Sequence, residues 1–492
     1  FRLFVKRNQA SDDILFLKLF DFLDKHQEYD ELKILKKLPD IKKRQLSNLK
    51  AHLYKQLLIS LRLLNKNHNV NVEIREAIDY ARVLYNKGLY KQSLDILSKT
   101  KSKALHADRG LLALEIISFE KHIESQYITR SIAERVDELT NESGNLFAAS
   151  LRKDRLSSLS LRLYSQYLKR GYVRNEEDFK AAQQFFYEQL PDYNLQELGF
   201  LEKIYWYQAH LWYYHMTQNF AFSYRNAQQL ITTFHARPEM IRIELPLYLK
   251  SLHHLLNTLF HVQNYGRFVA TLGLLEDAGE QYKVNQIRNV EGLYAMYLYI
   301  HRINKHYMEG TFSEGETLVM ELNEHIEKDT YNWDERREMV FNYKIACMYF
   351  GAGKYSEALD YLNLIINQRN PDYRQDIQSF ARILSLISHY ELGNQRLVEY
   401  QIKSVYRFLA KMKDLHDVQR EIFRFLRRTP RIHTSQIRDE FIVLKSKLEE
   451  AYLKPYERRP FLYFDIISWL ESKIDGRSVQ EIIHEKFVRN EA

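Results

Sequence analysis

Apolar residues recur every three or four positions along almost the whole chain, which is the spacing of one face of an α-helix. Residues 1–66 show this spacing in two segments, which Pro39 separates. After Pro430 the pattern changes, and two further helical segments follow at residues 462–472 and 479–488. Between these ends the helical segments come in pairs. The pattern predicts an all-α protein with an N-terminal helical module (1–66), a central array (67–430) and a C-terminal helical cap (431–492).

A short turn pattern recurs between the paired segments. KGLYKQSLDIL (residues 87–97) aligns with AGKYSEALDYL (352–362), and both read Gly, any residue, aromatic, two residues, small, Leu. The recognisable copies carry their aromatic residue at Tyr90, Tyr127, Phe220, Tyr265, Phe312 and Tyr355. A long gap before Phe220 has Tyr172 or Phe179 as an intervening turn, and Gln395 extends the series without its aromatic. About eight helical hairpins at such a period predict a solenoid.

The clearest repeat covers residues 341–370. It has a small residue (Ala346) and an aromatic (Tyr349) in its first helix, Gly353 and Tyr355 at the turn, and Ala358 in its second helix. It resembles a tetratricopeptide repeat, whose closing proline falls within one residue of Pro371. Much of the pattern recurs at Ala81, Leu84, Gly88, Tyr90 and Ser93. The other copies are degenerate, and their periods exceed the family's usual ~34 residues. The resemblance implies a right-handed superhelix of antiparallel helix pairs, in which the first helices line a concave groove.

Composition agrees with a helical protein. The 492 residues include 15 Gly and 8 Pro, which is scarce for a chain with many strands or loops. The formal net charge of +8 is compatible with acidic partners. A single cysteine, Cys347, excludes an intrachain disulfide and favours a reducing, cytoplasmic setting. No apolar run approaches the ~20 residues that a membrane helix needs. We expect the true start to lie upstream of Phe1, and the Lys-, Asn- and Tyr-rich composition suggests a bacterial source.

The segment FGAGKYSEAL (residues 350–359) looks like part of a phosphate-binding loop, but its spacing is wrong. A P-loop needs Gly, four residues, Gly, Lys and then Ser or Thr, because backbone amides hold the phosphate and the hydroxyl holds magnesium. Met348 stands at the place of the first glycine, and Tyr355 stands at the place of the hydroxyl. The segment is therefore interpreted as a helix–helix turn.

No other motif indicates a reaction, a metal or a cofactor. His210 and His215 are five residues apart, as are His301 and His306, and this spacing does not place two ligands on one helix face. Cys347 falls within a predicted helix, where a small packing residue is the simpler interpretation. We therefore predict that the chain is not an enzyme and binds no cofactor or metal.

A candidate binding surface follows from the resemblance, by projecting the register of residues 341–370 onto the other repeats. The side chains nominated for the concave face are Tyr205, Gln208, Trp212, His215, Lys250, His253, Asn257, Asn304, Tyr307, Arg75 and Arg82. Aromatic, amide and basic groups together suit an extended peptide. If the longer repeats shift the register, these aromatics instead fill the core. One subclass of the family binds C-terminal carboxylates through paired Lys and Asn, but Lys344 and Asp79 occupy the Asn position in the two clearest repeats.

A second candidate surface is basic. Two stripes follow helical spacing near the C-terminal end of the array, Lys403, Arg407 and Lys411 and then Arg420, Arg424, Arg427 and Arg428. Such stripes could contact the phosphates of nucleic acid or an acidic protein. They are equally compatible with an ordinary solvated face, because Asp417 and Glu421 interleave with them.

Two functions remain open from the sequence. The first is a non-enzymatic scaffold or adaptor, whose concave face binds a protein or peptide. The alternative is an adaptor associated with nucleic acid or ribonucleoprotein through the basic stripes. A regulator that binds DNA through residues 1–66 is a weaker variant, because those residues lack a helix-turn-helix spacing.

Overall fold

The computed structural model of the chain describes residues 1–8, 15–26, 29–65, 69–126, 132–368, 374–412, 415–454, 456–462 and 464–491. These residues form α-helices and short 3₁₀ turns, with no strand among them. The predictions that involve Tyr127 and Pro371 lie outside the described residues.

Twenty-four α-helices are formed by the described residues. They are α1 (Arg2–Asn8), α2 (Leu15–Lys25), α3 (Glu31–Lys37), α4 (Lys43–Asn65), α5 (Val70–Asn86), α6 (Tyr90–His106), α7 (Gly110–Gln126), α8 (Ile132–Arg170), α9 (Glu176–Gln189), α10 (Phe200–Met216), α11 (Phe220–His235), α12 (Glu239–Ile243), α13 (Leu245–His261), α14 (Tyr265–Gln281), α15 (Arg288–Glu309), α16 (Glu316–Glu327), α17 (Glu335–Gly351), α18 (Tyr355–Ile366), α19 (Gln375–Glu391), α20 (Gln395–Lys411), α21 (Asp417–Arg428), α22 (Ile437–Tyr452), α23 (Ile466–Asp475) and α24 (Val479–Glu491). The 3₁₀ helices are Leu195–Glu197, Val284–Gln286, Thr429–Arg431, Thr434–Gln436 and Arg459–Leu462. None of the described helices combines the length and the apolar character needed to cross a membrane.

The chain divides into two compact units, Phe1–Ser150 and Leu151–Ala492. The first unit has one core formed by α1 to α4 around Leu19 and Ile34, and another formed by α5 to α7 around Ile78 and Ile116. In the second unit the helices from α10 to α24 pack largely on their neighbours in sequence. The three-part division at residues 66 and 430 stays a prediction.

The predicted turn between paired helices is present and has a constant geometry. Gly88, Gly353 and Gly393 adopt positive φ angles of 75° to 78°, as expected for a glycine that ends a helix in the left-handed conformation. In each case the next residue donates its backbone N–H to the carbonyl five residues earlier, as Lys354 does to Tyr349 at 2.8 Å. Gln218 and Gln263 adopt the same conformation without a glycine, and Asn219 and Asn264 make the same bond. The degenerate repeats therefore keep the backbone turn after losing its sequence signature.

The residues that flank this turn also lie as their pattern predicts. Tyr90, Phe220, Tyr265, Tyr355 and Gln395 are each the first residue of the second helix of a pair. Phe312 is different, because α16 begins only at Glu316. Its ring is buried in the turn against Gly351. A Cβ atom added at Gly351 would lie only 2.5 Å from this ring.

Small residues allow the paired helices to approach closely. Ala81 and Ser93 are fully buried, and the Ser93 hydroxyl donates to the Ala81 carbonyl at 2.8 Å. Ala346 and Ala358 are likewise fully buried between α17 and α18. Both of the clearest repeats thus use the small positions on which the resemblance rests.

The C-terminal pair of helices is present, but the first begins later than predicted. Helix α23 starts at Ile466 rather than near residue 462, because the Asp465 carboxylate caps it by accepting the backbone N–H of Ser468 at 3.0 Å. The second helix, α24, begins at Val479 as predicted. It packs against α15, where the His484 ring bonds the carbonyl of Glu309 at 2.8 Å.

Within the second unit, the segment after α8 meets residues that lie far along the chain. The Arg174 guanidinium donates to the Met412 carbonyl at 3.0 Å, and the Tyr456 hydroxyl donates to the Glu176 carboxylate at 2.5 Å. Gly171 adjoins the side chain of Asp376. The early and late helices of this unit are therefore joined directly.

Candidate functional site

Two adjoining cavities lie within the second unit and are called its inner side below. Their volumes are about 520 and 650 Å³. The two linings share five residues, which therefore lie where the cavities meet. They are Tyr167, Asn257, Val340, Lys344 and Arg374. We call the 520 Å³ space cavity A and the 650 Å³ space cavity B. Together they are large enough for several residues of a peptide or for a sizeable small molecule.

Most of the side chains nominated from the sequence line these cavities. Tyr205, Trp212, His215, Lys250 and His253 line cavity B. Asn304 and Tyr307 line cavity A, and Asn257 lines both. They come from α10, α13 and α15, each the first helix of its pair. Gln208 is buried and lines neither cavity. Whether a partner binds these residues stays a prediction.

Aromatic rings form much of the wall of cavity B. Trp212 lies 4.7 Å from Tyr164 and 5.3 Å from Tyr167, measured between ring centroids. Its ring is only 6% exposed and meets His254 edge-on at 5.0 Å. The sequence left open whether this ring belongs to the core or to a binding surface. In the structure Trp212 packs in the core and also lines the cavity.

Five histidines are concentrated around α10, α13 and α15. Burial lowers the pKa of His253 to about 3 and that of His261 to about 4, and it lowers the pKa of His215, His254 and His301 well below the usual value. The neighbouring lysines add to this effect for His253 and His261. These rings are consequently neutral at pH 7, and they act as hydrogen-bonding groups rather than as cations.

The neutral rings bond to one another and to neighbouring polar groups. His253 Nδ1 lies 2.8 Å from His301 Nε2, and the Asn257 amide nitrogen lies 3.0 Å from His253 Nε2. The Tyr172 hydroxyl lies 3.3 Å from His215 Nε2 and 3.1 Å from His261 Nε2. This network fixes the orientation of the amide and imidazole groups at the cavity wall.

Some buried polar atoms near cavity B have no protein partner among the described residues. They are Nε1 of Trp212, Nε2 of His254 and Nε2 of Gln208. Trp212 and His254 both line the cavity, and both are more than nine-tenths buried. A buried polar group without a partner is costly and is uncommon in folded proteins, so each needs an explanation.

Two lysines also face the cavities. Burial lowers the pKa of Lys250, and it lowers the pKa of Lys344 to about 8. Lys344 Nζ donates to the Asn304 side-chain oxygen at 2.5 Å and lies near the rings of Phe260 and Tyr307. Lys250 Nζ lies 5.1 Å above the ring of Tyr164. Arg374 and the rings of Tyr164 and Tyr167 were not nominated from the sequence, because only the tertiary packing brings them to the cavities. Lys344 lies on α17, the first helix of the clearest repeat, but was not among the nominated side chains.

Arg75 and Arg82, the remaining nominated residues of the concave face, lie in the first unit. Both are exposed on α5. Arg75 lies 3.9 Å from the Glu115 carboxylate, and Arg82 lies 5.3 Å from the ring of Phe119. Neither residue lines cavity A or B.

The basic stripes lie on the surface of α20 and α21. On α21, Arg420 pairs with Asp417 at 3.2 Å, Arg424 pairs with Glu421, and Arg428 pairs with Glu440 of α22. Lys403, Arg407, Lys411 and Arg427 are exposed. The paired arginines present less free charge than their sequence spacing alone indicates, and contact with nucleic acid stays a prediction.

Across the described parts of the chain, no cluster of three or more His, Cys, Asp or Glu side chains could hold a metal ion. Cys347 lines cavity A, but burial raises the pKa of its thiol to about 12. The thiol is thus protonated at neutral pH and is a poor nucleophile. The arrangement is suited to binding through stacking, hydrogen bonds and positive charge.

The chain matches no protein-family model, no curated protein and no solved structure. The site has therefore to be interpreted from its own geometry and chemistry.

Proposed function

We propose that the chain is a non-enzymatic binding protein, whose second unit holds an extended peptide segment of a partner protein along cavities A and B. The tetratricopeptide-like superhelical arrangement belongs to the same proposal, and the recurrent turn and the small buried residues support it. A cytoplasmic setting stays a prediction.

The carrying observation is that Trp212 and His254 line cavity B and that each has a buried ring nitrogen without a protein partner among the described residues. An indole N–H is a donor only, and a backbone carbonyl of a peptide is a suitable acceptor for it. The amides of Asn257 and Asn304 at the cavity walls can bond further peptide groups, while Tyr164 and Tyr205 offer apolar area. Repeated polar groups between aromatic surfaces suit a chain with regularly spaced amides better than a compact apolar ligand.

The nucleic-acid alternative has weaker support. Three of the four nominated arginines on α21 are engaged by carboxylates, which lowers their contribution to phosphate binding. If that alternative holds, the protein binds single-stranded RNA at low salt, and the affinity falls steeply as salt is raised.

The test begins with selection of peptides from a displayed random library on the immobilised full chain. Enriched peptides are synthesised with a fluorescent label, and their affinity is measured by polarisation. Asn257→Tyr places a ring where the cavities meet and should weaken binding at least about tenfold. Asn363→Tyr, at an exposed position of α18, is the matched control and should bind like the wild type.

Trp212→Phe is the second variant, because it removes the N–H donor but keeps an aromatic ring in the core. It should weaken binding while the helical circular dichroism is unchanged. Failure to enrich any peptide, or equal binding by wild type and Asn257→Tyr, would contradict the proposal.

A further inference from the structure

Lys344 occupies a central position in the site. It lies on α17 and lines both cavities, so a segment that runs from one cavity to the other passes it near the middle of its length. Its ammonium group donates to the Asn304 side-chain oxygen and lies 5.2 Å from the ring of Tyr307. The hydroxyl of Tyr307 in turn donates to the backbone carbonyl of Lys344, which fixes the Tyr307 ring relative to the backbone of α17.

No carboxylate neutralises this lysine among the described residues. The partners of Lys344 are an amide oxygen and two aromatic rings, and no Asp or Glu side chain raises its pKa. Lys250 likewise has an aromatic ring, that of Tyr164, as its neighbour, and burial alone lowers its pKa. By contrast, Lys486 of α24, which also lines cavity A, pairs with Glu471 at 2.6 Å.

The wider lining of cavity B is also predominantly basic. Its basic residues are Lys250, Arg336, Arg337, Lys344 and Arg374, and its acidic residues are Glu244 and Asp334. Arg374 is engaged by the buried carboxylate of Asp376 at 2.7 Å. The cavity therefore has an excess of positive charge, centred on the two lysines.

A partly buried cation without a counter-ion is unfavourable, because burial removes part of its hydration and no opposite charge replaces it. At pH 7 the ammonium group of Lys344 nevertheless remains mostly protonated, since its lowered pKa of about 8 is still above that pH. An anion placed beside it would gain a charge-assisted hydrogen bond in a partly dehydrated site, where such bonds are strong.

We infer that the peptide held in cavities A and B is acidic, and that a carboxylate side chain in the middle of the bound segment contacts Lys344, with Lys250 adding to the attraction. This inference rests on the proposed function. The position of Lys344 where the cavities meet favours an internal Asp or Glu over a chain terminus. The Asn304 amide is close enough to Lys344 to bond the same carboxylate.

The experiment uses two labelled pools of nine-residue peptides with degenerate sequences and blocked termini. One pool has Asp or Glu at the central position, and the other has Asn or Gln there. At pH 7 and physiological salt, the acidic pool should bind the full chain at least about tenfold more tightly. A third pool, with the neutral centre and a free C-terminal carboxylate, should bind like the neutral pool.

Lys344→Met and Lys344→Gln should remove the difference between the acidic and neutral pools while the neutral pool still binds. Lys447→Met is the matched control, because Lys447 is exposed and pairs with Glu421 at 3.0 Å. This variant should still bind the acidic pool more tightly than the neutral pool, to the same extent as the wild type. Circular dichroism and the thermal midpoint check that each variant is folded.

The outcomes separate the two proposals. Equal binding of the acidic and neutral pools, or a preference that survives both Lys344 variants, would overturn the inference and leave the peptide site standing. A preference shown only by the pool with a free carboxylate would also overturn it. If no pool binds, the proposed function itself is wrong.

Discussion

Two sets of basic residues in the second unit differ in almost every physical respect. Arg420, Arg424 and Arg428 are on the surface, and each pairs with a carboxylate. Lys250 and Lys344 face the inner cavities and have no acidic partner among the described residues. The stripe was prominent in the sequence because its spacing is regular, whereas Lys344 was not. The comparison teaches that the environment of a charge is more informative about binding than its periodicity.

The largest effect should come from acidification, since the histidines of the inner face are held neutral. An unfolded chain takes up protons below pH 6.5, whereas His253 and His261 in the folded chain do not until about pH 3 and 4. The unfolded state thus binds more protons in this window, and stability falls as pH falls. Between pH 7 and 5, each of these two histidines should lower the free energy of unfolding by about 2 kcal/mol.

This dependence can be measured as the free energy of unfolding in urea at several pH values. His253→Gln should reduce the slope with pH, and the exposed His433→Gln should not. A stability that is constant from pH 7 to 5 would show that the inner histidines are accessible to protons, as those of an outer surface are.

The second effect is the loss of an inner aromatic ring. Trp212→Ala should lower the free energy of unfolding by about 3–5 kcal/mol, because the ring is buried between Tyr164, Tyr167 and His254. Tyr400→Ala on α20, beside the outer basic stripe, is the matched control at 78% exposure and should change it by less than about 0.5 kcal/mol. Similar losses for the two variants would mean that inner and outer aromatics are equivalent, contrary to the structure.

A smaller effect is expected on the pH dependence of peptide binding. Above pH 8 Lys344 loses its proton, because burial places its pKa near 8, and the affinity for the acidic peptide pool should fall by about tenfold per pH unit at most. Arg374 opposes the charge of Lys344 and Cys347 favours it. The other titratable groups that face it are Tyr307 and the neutral rings of His253, His261 and His301, whose pKa values its charge helps to lower. Binding of the neutral pool should stay nearly constant up to pH 9. If the affinity for both pools fell equally above pH 8, the pH dependence would have to come from a group other than Lys344.

The smallest effect belongs to the outer stripe. Arg424→Gln removes an exposed ion pair with Glu421 and should change the free energy of unfolding by less than about 0.5 kcal/mol, because solvent screens such pairs. It should also leave peptide affinity unchanged in the polarisation assay. A loss of binding comparable with that of Lys344→Met would remove the distinction between the two basic regions.

The sequence predicted the helical hairpins because their turns depend on local chemistry. Gly353 and Tyr355 specify a left-handed residue followed by a helix start, and the structure has both there. Gln218 and Gln263 reach the same backbone conformation without a glycine. The aromatics that follow them, Phe220 and Tyr265, begin the next helices and identified both turns in the sequence. The aromatic position is therefore a more general signal of this turn than the glycine.

The site was predictable only in part, for a related reason. Residues of the first helices, such as Trp212, Asn257 and Asn304, were nominated by register alone, and the structure brings them to the cavities. The positions of Arg374 and of α24 depend on contacts between segments far apart in the chain, such as that of Arg374 with the ring of Tyr167 and that of His484 with the Glu309 carbonyl. No spacing rule in a single sequence reports such contacts.

The most direct test of the account is to map where a bound peptide lies. A peptide from the library selection, synthesised with a photoreactive benzoylphenylalanine at its centre, is irradiated with the full chain, and the linked residues are identified by mass spectrometry. The account expects links on the inner helices α10, α13, α15 and α17. Links confined to α20, α21 and α22 would contradict it and assign binding to the outer basic surface.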